Sequence, residues 1–377
     1  MRIAQVSPLF ESVPPQLYGG AERVISYLTE ELVDLGHRVT LFASGDSVTR
    51  AELVPGCARA LRLGGNGAAA EQVHAAMLAE VARRRSDFDV VHFHIGDWHL
   101  RAPRWRGGSH VTTVHEPLDS PENQAIYEDP ALRLISVSEA QRRTLPHASW
   151  LGTVPHGLPD GLYRPRFERG QYLTFLGRIS PSTRVDRAVE IARRFGMPLK
   201  IAAKVDRADY PYYLSLRAEL RAPFVEFVGE VNEAQKSDLL AGAYALLFPV
   251  DWPEPFGLGL IESMACGTPV VAWRNGSVPE LVDQSVTGFV VNSIEDAVAA
   301  LGRVAQLDRR LVARVAYQRF AARRMAREYL RLYARSIALD LTIPSLTDPP
   351  PVALTELSAE GLEAPPAAQL AFAESGE

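Results

Sequence analysis

The sequence predicts an α/β protein with two doubly wound, Rossmann-like parallel sheets. Three observations predict it. Apolar, strand-like runs alternate with helical patterns along nearly the whole chain. The strand-like runs are short and apolar throughout, with little polar alternation, as in sheets covered by helices on both faces. The runs also fall into two series, separated at 157–170 by Pro159, Gly161, Pro165 and Gly170. A length of 377 residues leaves room for two such domains.

In the first series the expected strands are 2–7, 38–43, 89–94, 110–115, 132–138 and 150–156. In the second they are 172–177, 199–204, 224–229, 245–250, 269–273 and 288–291. Helical patterns occupy 21–35, 185–195, 232–243 and 294–307, and a last helix is expected over about 321–339. Helices between strands imply right-handed crossovers. The expected layout is a first domain at 1–160, a second at 161–320 and a returning helix at 321–340. An acidic tail rich in Pro and Ala, at 341–377, reads as disordered by composition. Ligands of such sheets bind beyond the carboxyl ends of the strands, so residues ending strands are the functional candidates.

Composition excludes several classes. The net charge of −5 argues against nucleic-acid binding by bulk charge. Acids are concentrated at the end of the chain: from Ser336 onward there are seven and no Lys or Arg. Two cysteines, Cys57 and Cys266, cannot build a disulfide framework or a cysteine zinc cluster. No apolar run reaches the ~18 residues of a membrane span. The opening MRIAQVSPLF reads as a first strand and not as a signal peptide, so a cytoplasmic protein is expected.

The strongest chemical signal is Glu254-Pro255-Phe256-Gly257-Leu258-Gly259-Leu260-Ile261-Glu262. Its two carboxylates straddle a strand-to-helix junction. Paired carboxylates accept hydroxyl hydrogen bonds and suit a polyol such as a sugar or ribose. Gly257 and Gly259 let the backbone approach a ligand. The N–H groups of the helix start, at Phe256, Gly257 and Leu258, suit phosphate or hydroxyl oxygens. Taken alone, the spacing also fits a helix-start carboxylate and a solvated helix residue.

With its neighbours the motif resembles the signature of glycosyltransferase family 4. Met264-Ala265-Cys266-Gly267-Thr268-Pro269-Val270 follows it. Tyr18-Gly19-Gly20-Ala21-Glu22 is similar to the family's glycine loop, and Thr113-Val114-His115 to its T-x-H strand end. Gly36-His37-Arg38-Val39, Asp89-Val90-Val91-His92, Gly177-Arg178-Ile179-Ser180-Pro181 and Ser277-Val278-Pro279-Glu280 match further marks. The resemblance runs from residue 2 to about 335. It implies a GT-B fold, two Rossmann-like domains facing across a cleft. It also implies a UDP- or GDP-hexose donor, a hydroxyl acceptor, and retaining, metal-independent chemistry without a cofactor. Carried over by position, Gly19 and Gly20 close over the diphosphate, His115 faces the donor sugar and Arg178 neutralises the leaving diphosphate. Glu254 accepts sugar hydroxyls, and Glu262 holds the ribose.

Two departures stand out. The family carries Lys then Gly five and six residues after its arginine; here the pair is Thr183 and Arg184. Either Arg184, adjacent, or Lys204, ending the next strand, is expected to supply the missing cation; otherwise the site is weakened. Glu116 stands where Gly or Asp is common, and with His94 it is an acceptor-side candidate, or else a solvated loop acid. Asp87-Phe88-Asp89 has metal-site spacing but precedes a strand, and His92, His94 and His99 lack a clear further zinc ligand. The expected function is retaining hexosyl transfer; the alternative is a catalytically weakened sugar-nucleotide binder or partner subunit. Finally, Arg319, Arg323, Arg327, Arg331 and Arg335 recur every four residues. This stripe reads as a solvated face, as a weak peripheral contact for anionic lipid, or as a partner of the acidic tail.

Overall fold

Strand β1 (Arg2–Val6) lies inside the first sheet because Ile3, Ala4, Gln5 and Val6 are all fully buried. The structure is a computed structural model and describes residues 1–64, 70–101 and 109–342. The remaining strands of this sheet are β2 (Arg38–Ser44), β3 (Glu52–Cys57), β4 (Val90–Phe93), β5 (His110–Thr113), β6 (Leu134–Ser136) and β7 (Trp150–Thr153). All pair in parallel, in the order β3-β2-β1-β4-β5-β6-β7. The first sheet therefore has seven strands, one more than expected. The extra one, β3, contains Pro55 and Gly56, which hide a strand from pattern reading. At a sheet edge a proline removes no needed ladder bond.

The second sheet comprises β8 (Leu173–Arg178), β9 (Leu199–Lys204), β10 (Val225–Gly229), β11 (Ala245–Phe248), β12 (Val270–Trp273) and β13 (Gly288–Val291). Its order is β10-β9-β8-β11-β12-β13, again parallel. Helices such as Ala21–Asp34, Val185–Phe195, Glu233–Gly242 and Ile294–Val304 form the crossovers. Their ends follow local chemistry. Asn232 and Gln235 form a reciprocal capping box, and Gly196 (φ +75°) ends Val185–Phe195 in the left-handed region. Strand order reverses between β1 and β4 and between β8 and β11, and at such switch points α/β sheets bind ligands.

The chain crosses between the sheets twice, and the two crossings touch. Leu158 N–H donates to the Phe320 carbonyl (2.7 Å), and Ala322 N–H donates back to the Leu158 carbonyl (2.8 Å). A Cβ at Gly157 would lie 2.6 Å from the Ala321 carbonyl oxygen, so only glycine fits there. The returning helix, Ala322–Thr342, lies against the first sheet. Its Met325, Tyr329 and Tyr333 are fully buried on the face toward the sheet, and its Leu332 packs against Gly152 of β7.

The arginine stripe is shorter than its spacing implies. Arg319 belongs to the preceding helix, Arg309–Arg319, and is held by Asp283 (2.6 Å) and the Glu280 carbonyl (2.5 Å). Arg323, Arg327, Arg331 and Arg335 are exposed, but Arg335 donates to the Leu151 carbonyl (3.1 Å). Tyr329 and Tyr333, the aromatics nearest the stripe, face inward. Among the described residues no helix is long and apolar enough to cross a membrane. The acidic tail from residue 343 onward, and parts of the 44–67 and 98–108 loops, lie outside the described residues.

Candidate active site

The Glu254 loop is shaped by a second loop gripping it from behind. After β11, residues 249–257 run to the helix Leu258–Ala265, with Gly257 at φ +85°. The loop after β12 holds this segment by three bonds. Asn275 Nδ2 donates to the Val250 carbonyl (2.7 Å), Ser277 N to the Glu254 carbonyl (2.9 Å) and Ser277 Oγ to the Phe256 carbonyl (2.7 Å). The approach is so close that a Cβ at Gly276 (φ +52°) would sit 2.2 Å from the Glu254 carbonyl oxygen. The Glu254 carboxylate itself accepts from the N–H groups of Phe256 and Gly257. Those two donors at the helix start are thus taken by the protein. Enclosure pushes the Glu254 carboxyl up to about 7, although its cleft side stays open to water.

Arg178 and Lys204 end neighbouring strands β8 and β9 and are register partners, so two cations stand side by side on the cleft wall. Arg178 faces Asp209 (3.3 Å) and Asp206 (3.6 Å); Lys204 pairs with Asp206 (3.0 Å) and lies 4.4 Å from the Tyr18 ring centre. Thr183 closes the turn instead of supplying charge: its hydroxyl donates to the Arg178 carbonyl (2.6 Å). Arg184 is turned off the wall. It caps Val185–Phe195 in the left-handed region (φ 54°), bound by Asp186 (2.7 Å) and Asp251 (3.0 Å). Of the two expected substitutes for the family lysine, only Lys204 lines the cleft.

Glu262 is buried and paired. Lys236 Nζ donates to its Oε1 at 2.5 Å and also meets Glu233 (3.1 Å), which in turn pairs with Arg23 of the first domain. Burial would raise the Glu262 carboxyl, but Lys236 and Arg23 outweigh it and hold the group low. Burial pulls Lys236 down to about 8. Glu262 therefore offers a ligand only the capacity left beside an ammonium. Pattern reading missed Lys236. Its signal was rarity: it is one of three lysines among 40 basic residues, and Lys204 and Lys236 both line the cleft.

The first domain supplies the opposite wall. Gly20 faces Leu258 across the cleft, with a Cβ there only reaching the leucine at 4.0 Å. Gly19 is packed against Pro15, where a Cβ would lie 2.7 Å away. His115, just past β5, lines the cleft; burial lowers it to about 4, so it is neutral at pH 7. His156, past β7, was not anticipated. Its ring stacks on His115 (5.4 Å between centres) and packs on Phe256 (4.6 Å). A lone histidine ending a strand was the available signal.

The acceptor-side candidates lie behind this wall and not on it. His94 is 2% exposed and bonds His115 and Gln5. Glu116 is occupied by the Tyr127 hydroxyl and the His115 N–H. Asp89 of the Asp-x-Asp spacing pairs with Arg2 (2.8 Å). Among the described residues, no group of three or more His, Cys, Asp or Glu is arranged to hold a metal ion.

Gly19, Gly20, His115, Arg178, Lys204, Glu254, Phe256, Gly257, Leu258 and Glu262 thus converge on one cavity of about 330 Å³ between the two sheets. Two family models divide the chain at the same break. The one described as Glycosyltransferase Family 4 matches residues 18–157, and Glycosyl transferases group 1 matches 164–317. The chain belongs to glycosyltransferase family 4. Its similarity to a phosphatidyl-myo-inositol mannosyltransferase of Mycobacterium leprae is 26% identity, over 88% of this chain and 96% of that protein. AviGT4, a glycosyltransferase involved in avilamycin A biosynthesis, superposes with a TM-score of 0.71 at 26% identity, covering 89% of this chain and 98% of that one. Anabaena HepE, solved with UDP and glucose, shares the fold at 18% identity and a TM-score of 0.68, covering 89% and 100%. The protein is a family 4 glycosyltransferase with the two-domain GT-B architecture.

Proposed function

We propose that this glycosyltransferase moves a hexosyl group from a UDP- or GDP-hexose to a hydroxyl acceptor, with retention at the anomeric carbon. The observation that carries the reading is the in-register pair Arg178 and Lys204 beside Glu254 in one cleft. As the bond between the anomeric carbon and the diphosphate breaks, charge accumulates on the departing phosphate. The two fixed cations stabilise that charge without reorganising. The departing oxygen takes the acceptor's proton while the acceptor oxygen bonds the anomeric carbon on the same face. Glu254 accepts hydroxyls of the sugar, neutral His115 faces the sugar from the opposite wall, and Glu262, oriented by Lys236, takes the ribose. Residues 1–160 act as the acceptor side and 161–320 as the donor side, in the cytoplasm, without cofactor or metal.

The names of the relatives suggest where to begin. Mannosyl and glucosyl donors come first, with inositol-type and other polyol hydroxyls as acceptors. The test is release of UDP or GDP from a panel of nucleotide sugars, with and without EDTA. Turnover that survives EDTA supports the reading; turnover abolished by EDTA overturns the metal-free part. A second reading, a weakened nucleotide-sugar binder, is favoured by Thr183 and by the outward Arg184. Binding without release across the panel would establish it.

A further inference from the structure

Behind His115 six buried polar side chains form one continuous chain, each at most 2% exposed. His115 Nε2 lies 2.9 Å from His94 Nδ1, and His94 Nε2 lies 2.8 Å from Gln5 Oε1. Gln5 Nε2 donates to the Tyr333 hydroxyl at 3.0 Å. That hydroxyl is 2.7 Å from His92 Nδ1; His92 Nε2 is 2.7 Å from Thr113 Oγ1, which meets the Tyr329 hydroxyl at 3.0 Å. The chain thus runs from the cleft wall, through β1, β4 and β5, into the returning helix.

The amide of Gln5 gives this chain a direction. A carbonyl oxygen can only accept, so His94 carries its proton on Nε2. A neutral imidazole has a single N–H, so His94 Nδ1 is bare and must accept from His115. His115 is then protonated on Nε2. The other half agrees: the Gln5 amide donates to Tyr333, whose hydroxyl donates to His92 Nδ1, whose Nε2–H donates to Thr113. Every member is satisfied in one polarity. Turning over the single amide of Gln5 would reverse every bond and convert His115 from an Nδ1 acceptor into an Nδ1 donor. The histidines are held neutral by burial, so a single proton per ring decides the matter.

We propose that Gln5, acting through His94, is a positioning device that holds His115 with its proton on Nε2 and so leaves Nδ1 as the hydrogen-bond acceptor for a hydroxyl of the transferred sugar. Among the described residues the hydrogen bonds of His115 run from its Nε2 and its backbone N–H and none from Nδ1, and the residue lines the cleft. The inference rests on the reading above that His115 faces that sugar. It implies selection by hydroxyl: a donor whose hydroxyl at this place is removed or methylated cannot donate to Nδ1.

The test reads the tautomer directly. Nitrogen NMR of the full-length protein labelled at histidine, with the His115 signals assigned by their loss in His115→Phe, reports which ring nitrogen is protonated without any substrate. The expected result is a proton on Nε2 and a bare Nδ1. A proton on Nδ1, or an even mixture, overturns the proposal without recourse to a variant. Gln5→Met removes the directing amide and leaves the cleft lining untouched. It should scramble the His115 tautomer and lower kcat for nucleotide-sugar cleavage about tenfold, with donor KM within about twofold. An unchanged tautomer or an unchanged kcat in Gln5→Met also overturns it. Full activity in His115→Phe would instead remove the sugar contact from the proposed function while leaving the tautomer assignment standing, so the two failures are distinguishable.

Discussion

Lys236 reaches Glu262 at 2.5 Å inside the cleft, and the pair is fastened through Glu233 to Arg23 of the other domain. A buried ion pair is costly to break by halves. Lys236→Met should therefore destabilise the protein by about 3–5 kcal/mol, because Glu262 is left charged and unpaired. Lys236→Met combined with Glu262→Leu should recover most of that loss. Urea unfolding of the three variants measures it, and a double variant no more stable than the single one would contradict the pairing.

The donor kcat/KM should follow a narrow bell with pH. The rising limb belongs to Glu254, pushed up to about 7 by its enclosure; the falling limb belongs to Lys236, pulled down to about 8 by burial. Glu254→Gln should flatten the acid limb and Lys236→Arg should move the alkaline limb upward. Glu254 also links to stability. Its folded value lies above its ordinary 4.5, so the folded state binds the proton more tightly. That contribution is complete below about 4.5 and is lost as pH rises through about 7. Thermal melts of wild type and Glu254→Gln across this window should diverge in that sense.

Gly276→Ala should abolish most activity, because its Cβ would meet the Glu254 carbonyl oxygen at 2.2 Å. A loss of about 10²-fold or more in kcat is expected from displacing the loop. Gly196→Ala is the control. It has a comparable left-handed φ (+75°) with nothing within 4 Å, so it should cost about 1–2 kcal/mol and leave kcat unchanged. Equal activity in the two variants would refute the gripping loop.

Lys204→Ala should lower kcat by about 10²–10³, the scale of losing one preformed stabilising group. Arg184→Ala should change it far less, because Asp186 and Asp251 hold that guanidinium off the wall. Thr183→Lys gives up the hydroxyl bond to the Arg178 carbonyl, about 1 kcal/mol, but restores a cation to the lining. It should leave wild-type activity unchanged or raised, and partly rescue Lys204→Ala. Absence of rescue would argue against the shared electrostatic role.

These residues also show what pattern can carry. Glu254, Arg178, Lys204 and His115 were legible because each ends a strand of a parallel sheet or follows one closely, where the fold itself gathers ligand contacts. Lys236 was not, since its meaning depends on an acid 26 residues away and on burial that no local pattern encodes. Arg184 and Glu116 were misplaced for a related reason. Asp251 and Tyr127, brought in by tertiary folding, claim their side chains before a ligand can. Strand β3 escaped because Pro55 and Gly56 break a strand pattern everywhere except at an edge.

The paired crossings at Leu158 and Phe320–Ala322 have a mechanical meaning. The two crossing segments are bonded reciprocally, which makes this the point about which the halves would turn if the cleft opened. Opening of the cleft about it would be a swing rather than a sliding of one half over the other. Parts next to the axis then travel least, and His156 and Phe256 are of that kind, the first two residues before Leu158 and the second packed against Phe320 at 6.1 Å. Arg62 bridges to Glu230 of the other half at 3.2 Å. In such a swing the cleft would widen most away from the crossing, while the ring contacts of His115, His156, Phe256 and Phe320 would change least.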